Sequence, residues 1–183
     1  MVTIPAHIAA ILEQVFDPEV PVLSILDLGI VRSVEDRDGQ LKIIITPTYS
    51  GCPAMQTIAT MIRLELSTHG FQHIIIEEQL SPAWTTDWMT ESGKRKLQEY
   101  GIAPPQYSTK NNPTNYLEVV VPCPQCSSSH TELISQFGST SCKALYRCLD
   151  CNEPFDYFKC HKLIWVTERF FVIPREPTCL NYI

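Results

Sequence analysis

Two cysteine pairs, Cys123-Pro-Gln-Cys126 and Cys148-Leu-Asp-Cys151, are separated by 21 residues. Each C-x-x-C knuckle aims two thiolates at one point, and the intervening chain is long enough for a hairpin that brings the knuckles together. Four thiolates in tetrahedral array suit structural zinc, whose binding in small peptides is worth about 10–16 kcal/mol near neutral pH. A four-iron cluster or a single redox iron would use the same ligand set. A redox C-x-x-C reading fits less well, because such motifs sit singly at a helix start in a thioredoxin-like unit. Cys142, Cys160 and His161 fall outside the pairs. Cys142 reads first as a buried reduced thiol on the second strand of the hairpin, and Cys160-His161 as an alternative source of a ligand. Cys179 and His130 read as incidental.

A different chemistry is open to Cys52, which stands between Gly51 and Pro53 where a strand hands over to a helix. Backbone N–H groups and the helix dipole there favour thiolate over thiol. A reactive or metal-binding thiol and a structural one are equally consistent with that position, and no histidine stands ready as a base for cysteine hydrolysis. Asp17, Glu19 and Asp27 lie in the proline-broken segment after the first helix. Capping and solvation are their ordinary roles, but beside Cys52 they would complete an open, iron-type site.

The elements that must position these residues follow from periodicity. Ile4, Ile8, Ile11, Leu12 and Val15 recur at helical spacing over residues 5–16, and Pro18 and Pro21 end that helix. Residues 30–35 and 41–46 read as strands joined by the Asp38-Gly39 turn. A helix is expected over 53–69, with Pro53 in its first turn and Gly70 as its stop. Residues 71–78 read as a third strand, whose Ile74-Ile75-Ile76 run predicts burial on both faces. A short helix over 90–100 ends at Gly101.

The expected fold class is thus α+β: a small α/β domain over 1–105, a linker over 106–117, and a β-rich four-cysteine ribbon over 118–183. The linker segment 102–117 carries three prolines and, stretched out, would reach about 50 Å. Of the ribbon's aromatics, Phe155, Tyr157, Phe158, Trp165, Phe170 and Phe171 read mostly as core.

Charge limits the partners. Net charge is -6, and from residue 118 onward six Lys/Arg stand against seven Asp/Glu. Phosphate binding needs a concentrated positive surface, so nucleic acid is not an expected partner. No apolar run approaches the roughly 18 residues of a membrane span. The first ten residues lack a basic region followed by an apolar one, so no export signal is expected. The eight cysteines are then expected to stay reduced in the cytoplasm.

Three separated motifs, Asp17-Pro18-Glu19-Val20-Pro21, Asp27-Leu28-Gly29-Ile30-Val31 and Thr46-Pro47-Thr48-Tyr49-Ser50-Gly51-Cys52-Pro53, together resemble the iron–sulfur cluster assembly domain typified by SufT-like proteins. The resemblance covers about residues 5–105. It implies a small α/β domain that delivers or assembles clusters, with Cys52 as the functional thiol. Farther on, the stretch from Phe137 through Cys142 to Cys148, followed by Glu153 to Cys160, resembles the D subunit of bacterial phenylacetyl-CoA epoxidase. There the Cys142 position belongs to the pattern.

That epoxidase is a multicomponent oxygenase of phenylacetate catabolism, with a di-iron catalytic subunit and a reductase carrying flavin and a plant-type iron–sulfur cluster. The resemblance implies an accessory, non-enzymatic component that matures the iron or iron–sulfur centres, carrying iron or a cluster transiently on Cys52 with Asp17 and Glu19 as helpers. Its implied partners are the oxygenase or reductase subunits, and a homodimer is a further arrangement. Two other roles remain open: a structural subunit, and an electron-transfer protein with iron in the four-cysteine site. The residues exclude direct oxygenation, because no di-iron ligand set of the Glu-x-x-His type occurs (neither Glu65 nor Glu132 has a histidine three residues on) and no Rossmann or flavin fingerprint is present.

Overall fold

A computed structural model describes residues 4–37, 39–106 and 120–159. The expected linker lies largely outside the described residues, as do Cys160, His161, Trp165, Phe170, Phe171 and Cys179.

Helix α1 (Ala6–Leu12) buries Ile8, Ile11 and Leu12. It is shorter than the apolar spacing predicts. Gln14 N and Val15 N donate only three residues back, and the chain then turns so that Phe16 bridges Ser24. The proline-broken segment therefore folds back on itself. Strands β1 (Val31–Arg37) and β2 (Gln40–Ile45) pair antiparallel around the expected turn. Gly39, at φ +81°, takes the left-handed conformation that such a turn requires.

Helix α2 (Ala54–Thr68) crosses over to strand β3 (His73–Glu78), which runs parallel to β2 from Gln40↔His73 to Ile45↔Glu78. Its stripe of Ala54, Met55, Ile58, Ile62 and Leu66 is buried. The expectation that β3 is buried on both faces is corrected. The sheet order is β1-β2-β3, so β3 is an edge strand, and Ile75 is 38% exposed while Ile74 and Ile76 pack against the core. An isoleucine run reports affinity for the pleat, whereas burial on the second face depends on what covers the sheet.

Trp84 is buried and donates from Nε1 to Leu28 O at 2.9 Å. After a 3₁₀ turn (Thr86–Trp88), helix α3 (Glu91–Tyr100) starts on Thr90, whose Oγ1 accepts from Gly93 N at 2.9 Å, and ends on Gly101 at φ +90°.

The second sheet is an antiparallel meander of β4 (Thr131–Ser135), β5 (Lys143–Cys148) and β6 (Pro154–Phe158). It has a small core of its own, formed by Ala103, Val121, Cys123, Ala144, Tyr146, Cys148 and Phe155. Yet it does not stand apart from the first sheet. Ala103 N donates to Asp156 O at 2.8 Å and Phe158 N to Ala103 O at 2.9 Å, so the chain after α3 adds a short parallel rung beside β6. Phe158 and Cys142 belong to the large N-terminal core, and Phe158 meets Trp84 edge-on at 6.2 Å. The ribbon is docked, whatever the reach of the linker composition.

Candidate metal centres

The knuckles bring Cys123, Cys126, Cys148 and Cys151 together so that all four Sγ atoms lie within 4.8 Å of one another. The Cys123–Cys151 and Cys126–Cys148 sulfurs are 3.7 and 3.5 Å apart. A tetrahedral ion with metal–sulfur bonds of about 2.3 Å sets its sulfurs about 3.8 Å apart, so the thiols fit a tetrahedral, thiophilic metal. Turn geometry produces this: Cys123 O accepts from Ser127 N, and Cys148 Sγ accepts from Cys151 N at 3.5 Å. Positive φ at Ser127 (61°) and Asn152 (63°) bends each knuckle back.

The sulfurs are electrostatically unequal. A backbone hydrogen bond from Cys151 draws Cys148 down to about 7. Cys151 is pushed up to about 12, because burial and thiol contacts with Cys148, Cys126 and Cys123 outweigh a backbone hydrogen bond from Glu153. His130, expected to be incidental, holds Asp150 at 3.1 Å beside the second knuckle, and Ser128 donates to the same carboxylate. Cys142 is not part of this four-sulfur set; Cys160 and His161 lie outside the described residues.

Cys52 sits at the entry to α2, half-buried, in the loop turned by Gly51 at φ +80°. Its N–H donates to Tyr49 O at 3.2 Å and its carbonyl accepts from Met55 N at 3.3 Å. The expectation that this position favours thiolate is corrected. Burial raises the Cys52 pKa and the Glu19 and Asp17 charges add to the rise, outweighing hydrogen bonds from Ala54 N and Tyr49. The helix terminus contributes the lowering that its position predicts, but desolvation and two carboxylates exceed it. At rest Cys52 is a thiol.

Those carboxylates belong to the segment after α1. Asp17 Oδ1 accepts from Glu19 N at 2.7 Å and Val20 N at 2.8 Å, the turn-capping role that its type favours. Burial pushes Asp17 up despite those bonds, and burial followed by the Asp17 charge pushes Glu19 up. Asp27 takes no part. It is engaged by Lys96 Nζ at 2.6 Å, Thr90 Oγ1 at 2.9 Å and Ser24, and ties α3 to the segment before β1.

The sequence reading missed what closes this region from above, namely the ribbon's 139–143 segment. Lys143, only 4% exposed, donates from Nζ to Glu19 O at 3.3 Å and Ser139 Oγ at 3.0 Å. Cys142 Sγ lies 3.0 Å from Thr140 Oγ1 and 4.0 Å from Glu19 Oε2. Tyr49 shares hydrogen bonds with Cys52 and Ser141, and burial pushes it up to about 12. At the root of the same loop, Thr46 Oγ1 is buried with no hydrogen-bond partner among the described residues. The signal in the sequence was the Cys142 position itself, which belongs to the pattern of the resemblance, whereas periodicity leaves the facing of Lys143 open.

Comparison with known proteins places this arrangement. Residues 108–159 match the PaaD zinc beta ribbon domain, and residues 5–69 match the iron–sulfur cluster assembly protein family. Over 154 residues, 84% of this chain and 92% of the relative, the chain is 53% identical to the putative D subunit of the 1,2-phenylacetyl-CoA epoxidase of Escherichia coli (strain K12). The chain belongs to the family of phenylacetyl-CoA epoxidase D subunits.

A second, shorter relative is the Fe-S protein maturation auxiliary factor of Porphyromonas gingivalis, 33% identical over 92 residues, which are 49% of this chain and 87% of that one. Among solved structures, the DUF59 domain from Bacillus anthracis is similar at 31% identity and a TM-score of 0.47, over 50% of this chain and 88% of that chain. The Cys52 loop and both carboxylates fall inside the assembly-family match, and the four cysteines and Cys142 inside the ribbon match. No helix among the described residues is long and apolar enough to cross a membrane.

Proposed function

We propose that this protein is a non-catalytic accessory factor of the phenylacetyl-CoA epoxidase system, acting in the cytoplasm to bring iron or an iron–sulfur unit to the metal-containing subunits. Cys52 is the exchanging thiolate, and Asp17 and Glu19 assist it. The four cysteines hold structural zinc that shapes the ribbon, and the division into a domain over 1–105 and a ribbon over 118–183 is part of this reading.

The observation that carries it is the half-buried Cys52 in one electrostatic neighbourhood with Glu19 and Asp17, in a chain whose relatives include an iron–sulfur maturation factor. A thiol kept protonated at rest resists oxidation. It becomes a soft ligand once a cation replaces its proton, which suits transient carriage better than catalysis.

The test is Cys52→Ala in cells assembling the epoxidase, with iron content and activity of the oxygenase and reductase as readouts. Both should fall while the amount of the variant protein is maintained. Normal iron and activity would remove the maturation reading. A structural-subunit role has one observation in its favour: Leu133 and Ile134 on the edge strand β4, and Phe137 just beyond it, are large apolar side chains left 40, 52 and 53% exposed. If epoxidase purified without this chain retains full activity, that role fails. Electron transfer through iron in the four-cysteine site is tested by metal analysis, since zinc at one per chain eliminates it.

A further inference from the structure

The ribbon's Cys142 has no place in the zinc reading. Its sulfur is absent from the four-sulfur set, it is 5% exposed, and it packs with the N-terminal core rather than the ribbon's own cluster. Its neighbours are Thr140 Oγ1 and the Glu19 carboxylate at 4.0 Å. Glu19 acts electrostatically on both Cys142 and Cys52, and Tyr49 is hydrogen-bonded to Cys52 on one side and Ser141 on the other. Cys142, from the segment before β5, thus approaches the Glu19 carboxylate directly, and Cys52, from the loop before α2, shares that carboxylate's field and the Tyr49 contact.

We propose that Cys142 is a second thiolate ligand for the iron cargo, so that the carrier site is composite: Cys52 from the α2 entry loop, Glu19 from the loop after α1, and Cys142 from the ribbon. This rests on the reading of the protein as an iron carrier, and names the ligands of that same site.

Charge supports the set. Two thiolates and the Glu19 carboxylate carry three negative charges, a ferrous ion with the buried Lys143 ammonium supplies three positive ones, and the balance holds with Asp17 protonated, the form toward which burial pushes it. Lys143 already reaches Glu19 O at 3.3 Å, so its charge is held in the site by the fold. A buried site must be nearly neutral to escape the desolvation cost of uncompensated charge. On loading, each thiol releases its proton to solvent as its sulfur–iron bond forms, and no electrons change hands. Thiolates are the soft ligands that iron and iron–sulfur units prefer.

Among the described residues only the four-cysteine set has all its ligand atoms within 4.8 Å. The composite site is therefore looser than the zinc cage. Its three ligands would have to draw together around an incoming ion.

The experiment uses the full zinc-loaded chain under anaerobic conditions, offered ferrous iron alone in one arm and an equal mixture of ferrous and ferric iron plus sulfide in the other, so that the second arm holds the oxidation states of a cluster without an added oxidant. After desalting, iron per chain and thiolate-to-iron absorption bands are measured for the unsubstituted protein, Cys142→Ser and Cys52→Ser, with zinc per chain and circular dichroism as controls for folding. In the unsubstituted protein, alkylation of Cys142 is mapped by mass spectrometry with and without iron.

Each substitution should weaken iron retention at least about tenfold, a loss that even outer-shell changes at metal sites produce. Zinc should stay in place, and iron should protect Cys142 from alkylation. Retention with iron alone would mark a single ion as cargo; retention only with sulfide would mark a cluster. The composite site is overturned if Cys142→Ser retains iron with unchanged bands, or if Cys142 is alkylated equally with and without iron. If Cys52→Ser alone loses iron, the carrier reading stands and the composite site falls. If the unsubstituted protein retains iron in neither arm, both fall together.

Discussion

Truncating Phe158 to alanine tests whether the ribbon and the N-terminal part share one core. Phe158 is 1% exposed, sits on β6 of the ribbon, and inserts into the N-terminal core against Trp84, with ring centroids 6.2 Å apart at 78°. A fully buried Phe→Ala change costs about 3–5 kcal/mol, through lost transfer energy and the cavity left behind. The edge-to-face pair, worth about 0.5–1.5 kcal/mol beyond its area, argues for the upper half of that range. For a chain of this size each kcal/mol lowers Tm by about 2–4 °C, so Phe158→Ala should melt on the order of 10 °C lower.

The backbone bonds between Ala103 and β6 do not involve the side chain, so the substitution isolates packing. Urea unfolding followed by both far-UV circular dichroism and tryptophan fluorescence is the assay, since Trp84, one of three tryptophans, packs against Phe158. Unsubstituted protein should show coincident transitions by the two probes. Leu133→Ala, at a 40% exposed site, serves as the control and should change stability by less than about 0.5 kcal/mol. A loss below about 1 kcal/mol for Phe158→Ala, or two separate transitions in the unsubstituted chain, would refute a shared core.

Gly29 has φ +67° and an added Cβ would lie 2.1 Å from Trp88 O, so Gly29→Ala should cost about 2–5 kcal/mol in urea unfolding from strain plus overpacking. Gly51→Ala, with open space at its Cβ position, should cost only the conformational part, about 1–2 kcal/mol. Asp27 is depressed below its ordinary 3.8 because hydrogen bonds with Lys96, Ser24 and Thr90 outweigh the opposing effect of burial. A depressed carboxylate contributes stability that is complete above its unfolded value and is lost as pH falls through the lower folded one. Lys96→Met should therefore cost about 2–3 kcal/mol at neutral pH and move the acid-unfolding midpoint, followed by circular dichroism, to higher pH. Stripping metal from the four-cysteine site with a strong chelator should release one zinc per chain, abolish the β4–β6 protection in amide exchange and red-shift the tryptophan emission to which Trp84 contributes. An unchanged spectrum with the metal gone would show that the ribbon stands without it.

What the sequence determined by itself was what depends on short-range spacing. The stripe from Met55 to Leu66 needs only a 3.6-residue period to become α2, and Gly39 only a left-handed turn to join β1 to β2. The two knuckles were legible for the same reason, since each sets its pair of sulfurs locally and four thiolates share one preferred geometry. Tertiary structure decided what depends on coverage and approach. Ile75 is partly exposed because none of the described residues covers the second face of an edge strand, a fact absent from any window around the residue.

Cys52 is a thiol because Asp17, Glu19 and burial reach it through space, against the helix terminus that its own neighbours provide. Cys142 lies 123 residues from the Glu19 it approaches. No local pattern encodes that distance, because it is set by where β6 lays Phe158 into a core built by the other half of the chain.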